Sequence, residues 1–104
     1  MNSKSLIISA PARRDLAQIG DYTQRTWGAA LKRKYLNILK TAFKALRNSP
    51  AMGVARDDIA PGLHVLTVEK HMIYHRVNDE GALVIVRVLH HAMEPTHHLP
   101  QTKT

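Results

Sequence analysis

The chain has 104 residues, 44% of them hydrophobic, and no cysteine. That is enough for one core and too little for two, and it excludes global disorder, disulfides and thiolate metal sites. The net charge of +7 sits in residues 1–50, where ten Lys/Arg face only Asp15 and Asp21, while residues 51–104 carry five against six acids.

A basic half implies an acidic partner, either nucleic acid or an acidic protein segment. The apolar run Leu6–Ile8 is too short for the core of a signal peptide, and no run approaches the ~18 apolar residues of a membrane span. These features predict an intracellular, cytoplasmic protein without membrane association, with residues 1–104 forming one domain: a core over about 5–91 and an irregular tail over about 92–104.

"SLIIS" (Ser5–Ser9) reads as a short first strand. Ser9 is suited to accept from the free amides that open a helix, and Pro11 in the first turn sacrifices no hydrogen bond. The helix is expected from about Ala10 to Thr26, with Ala12, Leu16, Ile19, Thr23 and Trp27 on its apolar face. Gly28 breaks it.

A second helix is expected over Ala29–Asn48. Leu31, Tyr35, Ile38, Leu39, Ala42, Phe43 and Leu46 form its apolar stripe, opposite Lys32, Arg33, Lys34, Lys40, Lys44 and Arg47, with no acid in the helix. A one-residue break implies a helical hairpin.

Asn48–Gly62, dense in Pro, Gly and Asp, reads as a loop. Three strands follow at Leu63–Val68, Met72–Val77 and Ala82–His90, the first two joined by a tight reversal at "EKH" and the last two by the turn "NDEG" (Asn78–Gly81). The last strand is apolar on both faces, so it belongs in the middle of its sheet and needs cover on both sides. The helical hairpin supplies one cover; a partner or the C-terminal tail must supply the other. The resulting order is β-α-α-β-β-β.

"RVLHHAMEPTHHLP" (Arg87–Pro100) holds four of the seven histidines. They come as adjacent pairs, His90-His91 and His97-His98, and neighbours on a strand point to opposite faces. They therefore make a poor metal site, and no metal or cofactor is expected. The Asp57-Asp58 pair lies in a polar loop, where turn chemistry is the simpler role.

Arg76 and Arg87 sit within apolar strands, where a charge costs energy unless it is paired or works at a surface. Two readings stay open. Arginines and nearby histidines fit metal-free, in-line RNA cleavage; alternatively, the arginines pair with Asp57, Asp58 or Glu69.

"SAPARRDLAQIGDYTQRTWG" resembles the opening of the ParE toxins, with Asp15, Leu16, Ile19 and Tyr22 filling a D-L-x-x-I-x-x-Y pattern. "YTQRTWGAALKRKY" is similar to that family's helix–helix junction. "IAPGLHVLTVEKHMIYHRV" resembles its G-L-R … Y-R-V hairpin, with His64 where arginine is usual. "IVRVLHHAME" is similar to its I-V-x-I-L-H-x-x-M-D segment, with Glu94 in place of Asp.

The resemblance covers residues 6 to 98 in order. It implies the ParE/RelE toxin fold, an α+β arrangement with a helical hairpin on a small, mainly antiparallel sheet. It also implies the toxin half of a type II toxin–antitoxin pair, neutralised by a ParD-like antitoxin in a hetero-oligomer. ParE members act as inhibitors of DNA gyrase, whereas RelE relatives cut mRNA on the ribosome.

The chain has no Tyr or Phe after Tyr74 to stack on a splayed base, which favours the gyrase branch and a non-enzymatic toxin. The resemblance places target binding at Arg76, Arg87, His90, His91, Met93 and His98. Antitoxin binding is expected at Leu31, Tyr35 and Ile38 of the hairpin and at Leu83 and Ile85 of the doubly apolar strand. The antitoxin would be the DNA-binding member of the pair, so direct nucleic-acid binding by this chain is not required.

Overall fold

A computed structural model describes residues 5–93 and 95–99. Glu94, Pro100 and the rest of the tail, which the sequence reading invoked, lie outside the described residues. The elements are β1 (Leu6–Ile8), α1 (Ala10–Trp27), α2 (Ala29–Asn48), β2 (Val54–Ala55), β3 (His64–Val68), β4 (His71–Val77) and β5 (Leu83–His90), followed by a 3₁₀ turn at Pro95–His97. The expected order is present. Two additions, β2 within the Asn48–Gly62 loop and the turn in the tail, were not anticipated.

Ser9 explains how α1 starts and where it lies. Its extended backbone places Oγ to accept from the Ala12 amide at 3.1 Å, and the same hydroxyl donates to the Val86 carbonyl at 2.8 Å. One side chain thus caps the helix and fixes it to β5. Gly28, at φ +98, is the single residue between the helices, a conformation that side chains rarely adopt. Gly20 lets the two helices close: a Cβ there would lie 3.1 Å from Lys32 Cε.

The five strands form one sheet in the order β1-β5-β4-β3-β2. β1 runs parallel to β5, and every other pairing is antiparallel. Tyr74 lies opposite Arg87 and His75 opposite Ile85, so Val86 is an extra residue that bulges β5.

The doubly apolar β5 has cover on both faces, and much of it is intramolecular. Leu83, Ile85 and Val88 pack with Ala12, Leu39, Phe43 and Leu46 in the cluster under the helices. Leu89 joins Tyr74, Val65, Ile59, Leu63 and Leu99 in a second cluster. The loop before β3 and the tail residue Leu99 therefore fill the place that the sequence left open between tail and partner.

Trp27 departs from its expected role. As the last residue of α1 it is 66% exposed, beyond the reach of the sheet. Among the described residues no helix is long and apolar enough to cross a membrane.

Candidate functional site

The predicted target-binding residues do not converge on one site. Arg76 is exposed on β4 and makes no hydrogen bond or ion pair with a described residue. His90 pairs with His71 at the other end of β4, five residues from Arg76, or roughly 16 Å along the strand. Met93 is exposed, and His98 is half-buried.

Arg87 needs correction. Its Nε and Nη2 each donate to Asp15 at 2.8 Å, and its Nη1 donates to the His98 carbonyl at 2.7 Å. The partner is thus Asp15 on α1 and not Asp57, Asp58 or Glu69. This hydrogen-bonded carboxylate holds the guanidinium pKa above its usual value.

Asp15 also accepts from the Val88 amide at 2.9 Å. Leu83 N–H donates to the Ser5 carbonyl and Ser9 N–H to the Ile85 carbonyl. Asp15 therefore satisfies the edge of β5 just past the point where β1 ends. Asp57 and Asp58 do perform turn chemistry: Asp57 accepts from the Gly62 amide, and Asp58 accepts from Arg56 Nε and Nη2.

Two predicted antitoxin contacts also need correction. Leu83 and Ile85 are 1% and 0% exposed beneath the helices, so no partner reaches them in the folded chain. A strand apolar on both faces suggested an open surface, but the chain closes it by itself. Leu31 is exposed, as are Tyr22 and Trp27 around the helical turn. Ile38 is half-buried in a groove of about 540 Å³ with Ala30, Arg33, Lys34, Asn37 and Thr41.

Tyr35 is half-buried and lies 2.6 Å, hydroxyl to Nδ1, from His71. Burial raises the Tyr35 pKa, so the phenol keeps its proton. Burial, then the charges of His90 and His91, push the His71 pKa down to about 4. A protonated phenol thus donates to the bare Nδ1 of a neutral imidazole.

The edge of the His71 ring continues the row to His90, with centroids 5.5 Å apart, and His90 lies 4.3 Å from His91. Tyr35 bridges the helical hairpin to the β3–β4 hairpin through this row, and the sequence reading had not connected these residues. The signal was available in the register, because a reversal at Glu69-Lys70 sets His71 near the end of β5.

His75 is fully buried, stacks on His64 with centroids 5.9 Å apart, and among the described residues neither ring nitrogen makes a well-formed hydrogen bond, the Met52 backbone being the polar group that acts on it. Burial, then the charge of His64, lowers its pKa to about 4, and the Met52 backbone opposes this only in part. Among the described residues no three His, Asp or Glu side chains are grouped to hold a metal ion.

This α+β arrangement is shared with solved toxin–antitoxin structures. The chromosomal ParDE system of P. aeruginosa matches with a TM-score of 0.73 at 24% identity, over 85% of this chain and 96% of that one. The RelBE2 toxin–antitoxin complex of Mycobacterium tuberculosis matches at 0.58 and 22%, over 86% and 99%. At these identities the likeness speaks for the fold alone.

Sequence comparison identifies the family. The model of the ParE toxin of type II toxin–antitoxin systems matches residues 6–95. Toxin ParE1 of M. tuberculosis is 35% identical over 92 residues, covering 88% of this chain and 94% of that protein. Toxin ParE of Escherichia coli is 28% identical, covering 85% of each chain. The chain belongs to the ParE toxin family.

Proposed function

We propose that this ParE-family toxin acts in the cytoplasm by binding and inhibiting DNA gyrase, which blocks replication and arrests growth. A ParD-like antitoxin encoded beside it neutralises it in a hetero-oligomer. The observation that carries the reading is the ParE match over residues 6–95 together with relatives named ParE toxins across most of the chain.

The side-chain geometry supports binding over catalysis. A metal-free RNA cleavage would draw on arginines and histidines near the end of β5, and two of these have internal partners. Arg87 is held by Asp15 and His71 by Tyr35. The exposed remainder, Arg76, His91 and Met93, forms a dispersed surface suited to contact with a protein target. Leu31 and Ile38, joined by Trp27, are the side chains on the hairpin that an antitoxin segment would cover.

The test is a supercoiling assay with toxin freed of antitoxin. Inhibited supercoiling with accumulation of cleaved DNA–gyrase complexes is expected. Cleavage of mRNA on translating ribosomes, with gyrase untouched, would overturn the reading.

A further inference from the structure

The solvent face of α2 carries a single sign of charge. Arg33, Lys40, Lys44 and Arg47 fall on one stripe, because positions seven, eleven and fourteen apart return to nearly the same side of a 3.6-residue helix. Lys34, Asn37 and Thr41 adjoin it. This stripe flanks the side that buries Leu39, Phe43 and Leu46, about a quarter-turn away, with Arg47 nearest to that side.

Arg33, Lys34, Lys40 and Lys44 are exposed, and Arg47 is half-buried. The helix contains no Asp or Glu. Exposed helix faces commonly intersperse charges of both signs, and Lys40 and Lys44 at i, i+4 form a like-charge pair that weakens a helix on its own. A polyanionic partner would relieve that repulsion.

The surface also shows what kind of polyanion fits. The groove beside the stripe is lined by α2 residues alone: Ile38 is its single large apolar side chain, half-buried, and the short side chains Ala30, Asn37 and Thr41 accompany Arg33 and Lys34. A second, smaller groove of about 250 Å³ shares Arg33 and Asn37 and adds Lys32 and Lys40. An amphipathic acidic helix needs a row of apolar anchor sites at i, i+3, i+4 and i+7. None of the large exposed hydrophobic residues falls between Lys32 and Asn48; Trp27 and Leu31 lie before that stretch.

A single strand of nucleic acid would want aromatic side chains among the cations for base stacking, and the stripe exposes none. What remains is a straight cationic rod, roughly 21 Å long at 1.5 Å per residue. It offers charge and hydrogen-bond donors without anchors or base readers, which suits the phosphate backbone of a double helix.

We infer that the Arg33–Arg47 face of α2 binds the phosphate backbone of duplex DNA directly and without sequence preference. The inference does not rest on gyrase as the target, and its test contains no gyrase. Fluorescence anisotropy of the full chain with a labelled duplex of about two helical turns, titrated with salt, reads it out.

Four phosphate contacts predict a slope of about −3.6 in log affinity against log salt. Lys40→Ala with Lys44→Ala should reduce the slope by about 2 and weaken binding at least tenfold at low salt. Lys40→Glu should weaken it further, while Arg14→Ala and Lys70→Ala, exposed cations off the stripe, should leave it nearly unchanged. Circular dichroism confirms that each variant is folded.

Three outcomes would overturn the inference. One is no binding at 50 mM salt (about the lowest useful ionic strength). Another is binding indifferent to the α2 variants. The third is a polyglutamate peptide of matched charge displacing the duplex at equal concentration, which would make the face a docking site for acidic protein.

Discussion

Asp15 and Arg87, 72 residues apart in sequence, meet in a two-pronged ion pair with both contacts at 2.8 Å. Asp15 is 7% exposed, and its second duty is the Val88 amide at the open edge of β5. Removing the carboxylate charge leaves a mostly enclosed guanidinium without compensation. Asp15→Asn is therefore expected to cost about 2–4 kcal/mol in urea unfolding, somewhat below a fully buried pair because Arg87 keeps some solvent. Replacing both residues together, Asp15→Leu with Arg87→Met, should recover the part due to the unpaired charge, while the Val88 amide still lacks its acceptor. An Asp15→Asn protein within ~0.5 kcal/mol of the parent would show the pair to be incidental. Loss of toxicity in Arg87→Ala should track loss of folded protein, whereas Arg76→Ala should leave stability untouched.

Gly53 precedes the two-residue strand β2, which pairs Val54 with Val65. At φ +99, a Cβ on Gly53 would stand 2.2 Å from the Val65 carbonyl oxygen and 2.9 Å from its carbon. Those are backbone atoms of β3 and have no rotamer to retreat into. Gly62, at φ +77, has nothing within 4 Å of its Cβ position, so alanine there meets only backbone strain of ~1 kcal/mol. Gly53→Ala should lower Tm well beyond Gly62→Ala and should release the β2–β3 amides to hydrogen exchange. Equal Tm values for the two variants would refute the close approach.

His71 and His75 make stability depend on pH with a definite sign. Both have folded pKa values of about 4, below the ordinary 6.5, chiefly through burial. Between those limits the unfolded chain binds more protons than the folded one, so stability rises with pH. The contribution is fully present above about pH 6.5 and is lost as pH falls toward 4, by roughly 1–3 kcal/mol for each histidine. Urea midpoints measured from pH 7.5 to 4 should show the decline. His75→Leu should flatten it and cost little at pH 7, since neither ring nitrogen makes a well-formed hydrogen bond with a described residue. A midpoint that stays constant across this range would contradict the burial of both rings.

Local chemistry carried the reading of the sequence a long way. Ser9, Pro11 and Gly28 delimit α1 as their cap, first-turn and break chemistry requires, and the stripe from Tyr35 to Leu46 fixes the buried side of α2. The relationships that were missed are long-range. Parallel pairing of β1 with β5 joins residues 77 positions apart, and no local propensity encodes it. Asp15 did leave a trace, because an acid three residues after Ala12 sits on the apolar stripe of α1, where a carboxylate needs a partner. A partner for Arg87 was expected among the acids Asp57, Asp58 and Glu69, while the fold supplied Asp15 from α1. Leu83 and Ile85 looked available for the converse reason: an apolar strand looks the same in sequence whether a partner or the chain's own helices cover it.

The tail contributes packing before any role in toxicity. Leu99 is 6% exposed in the second cluster, and the His98 carbonyl accepts from Arg87. Deleting residues 93–104 removes both contacts, so stability should fall together with toxicity. Leu99→Ala alone should cost about 2 kcal/mol, at the low end for a core leucine because the cluster lies at the margin of the sheet. His90→Ala and His91→Ala should remain folded and retain growth inhibition, since contact is spread across the surface. Growth inhibition and urea midpoints measured on all four proteins decide the matter. A 93–104 deletion with parental stability but no toxicity would make the tail a target contact alone, and total loss from one histidine with the fold intact would point to chemistry at the end of β5.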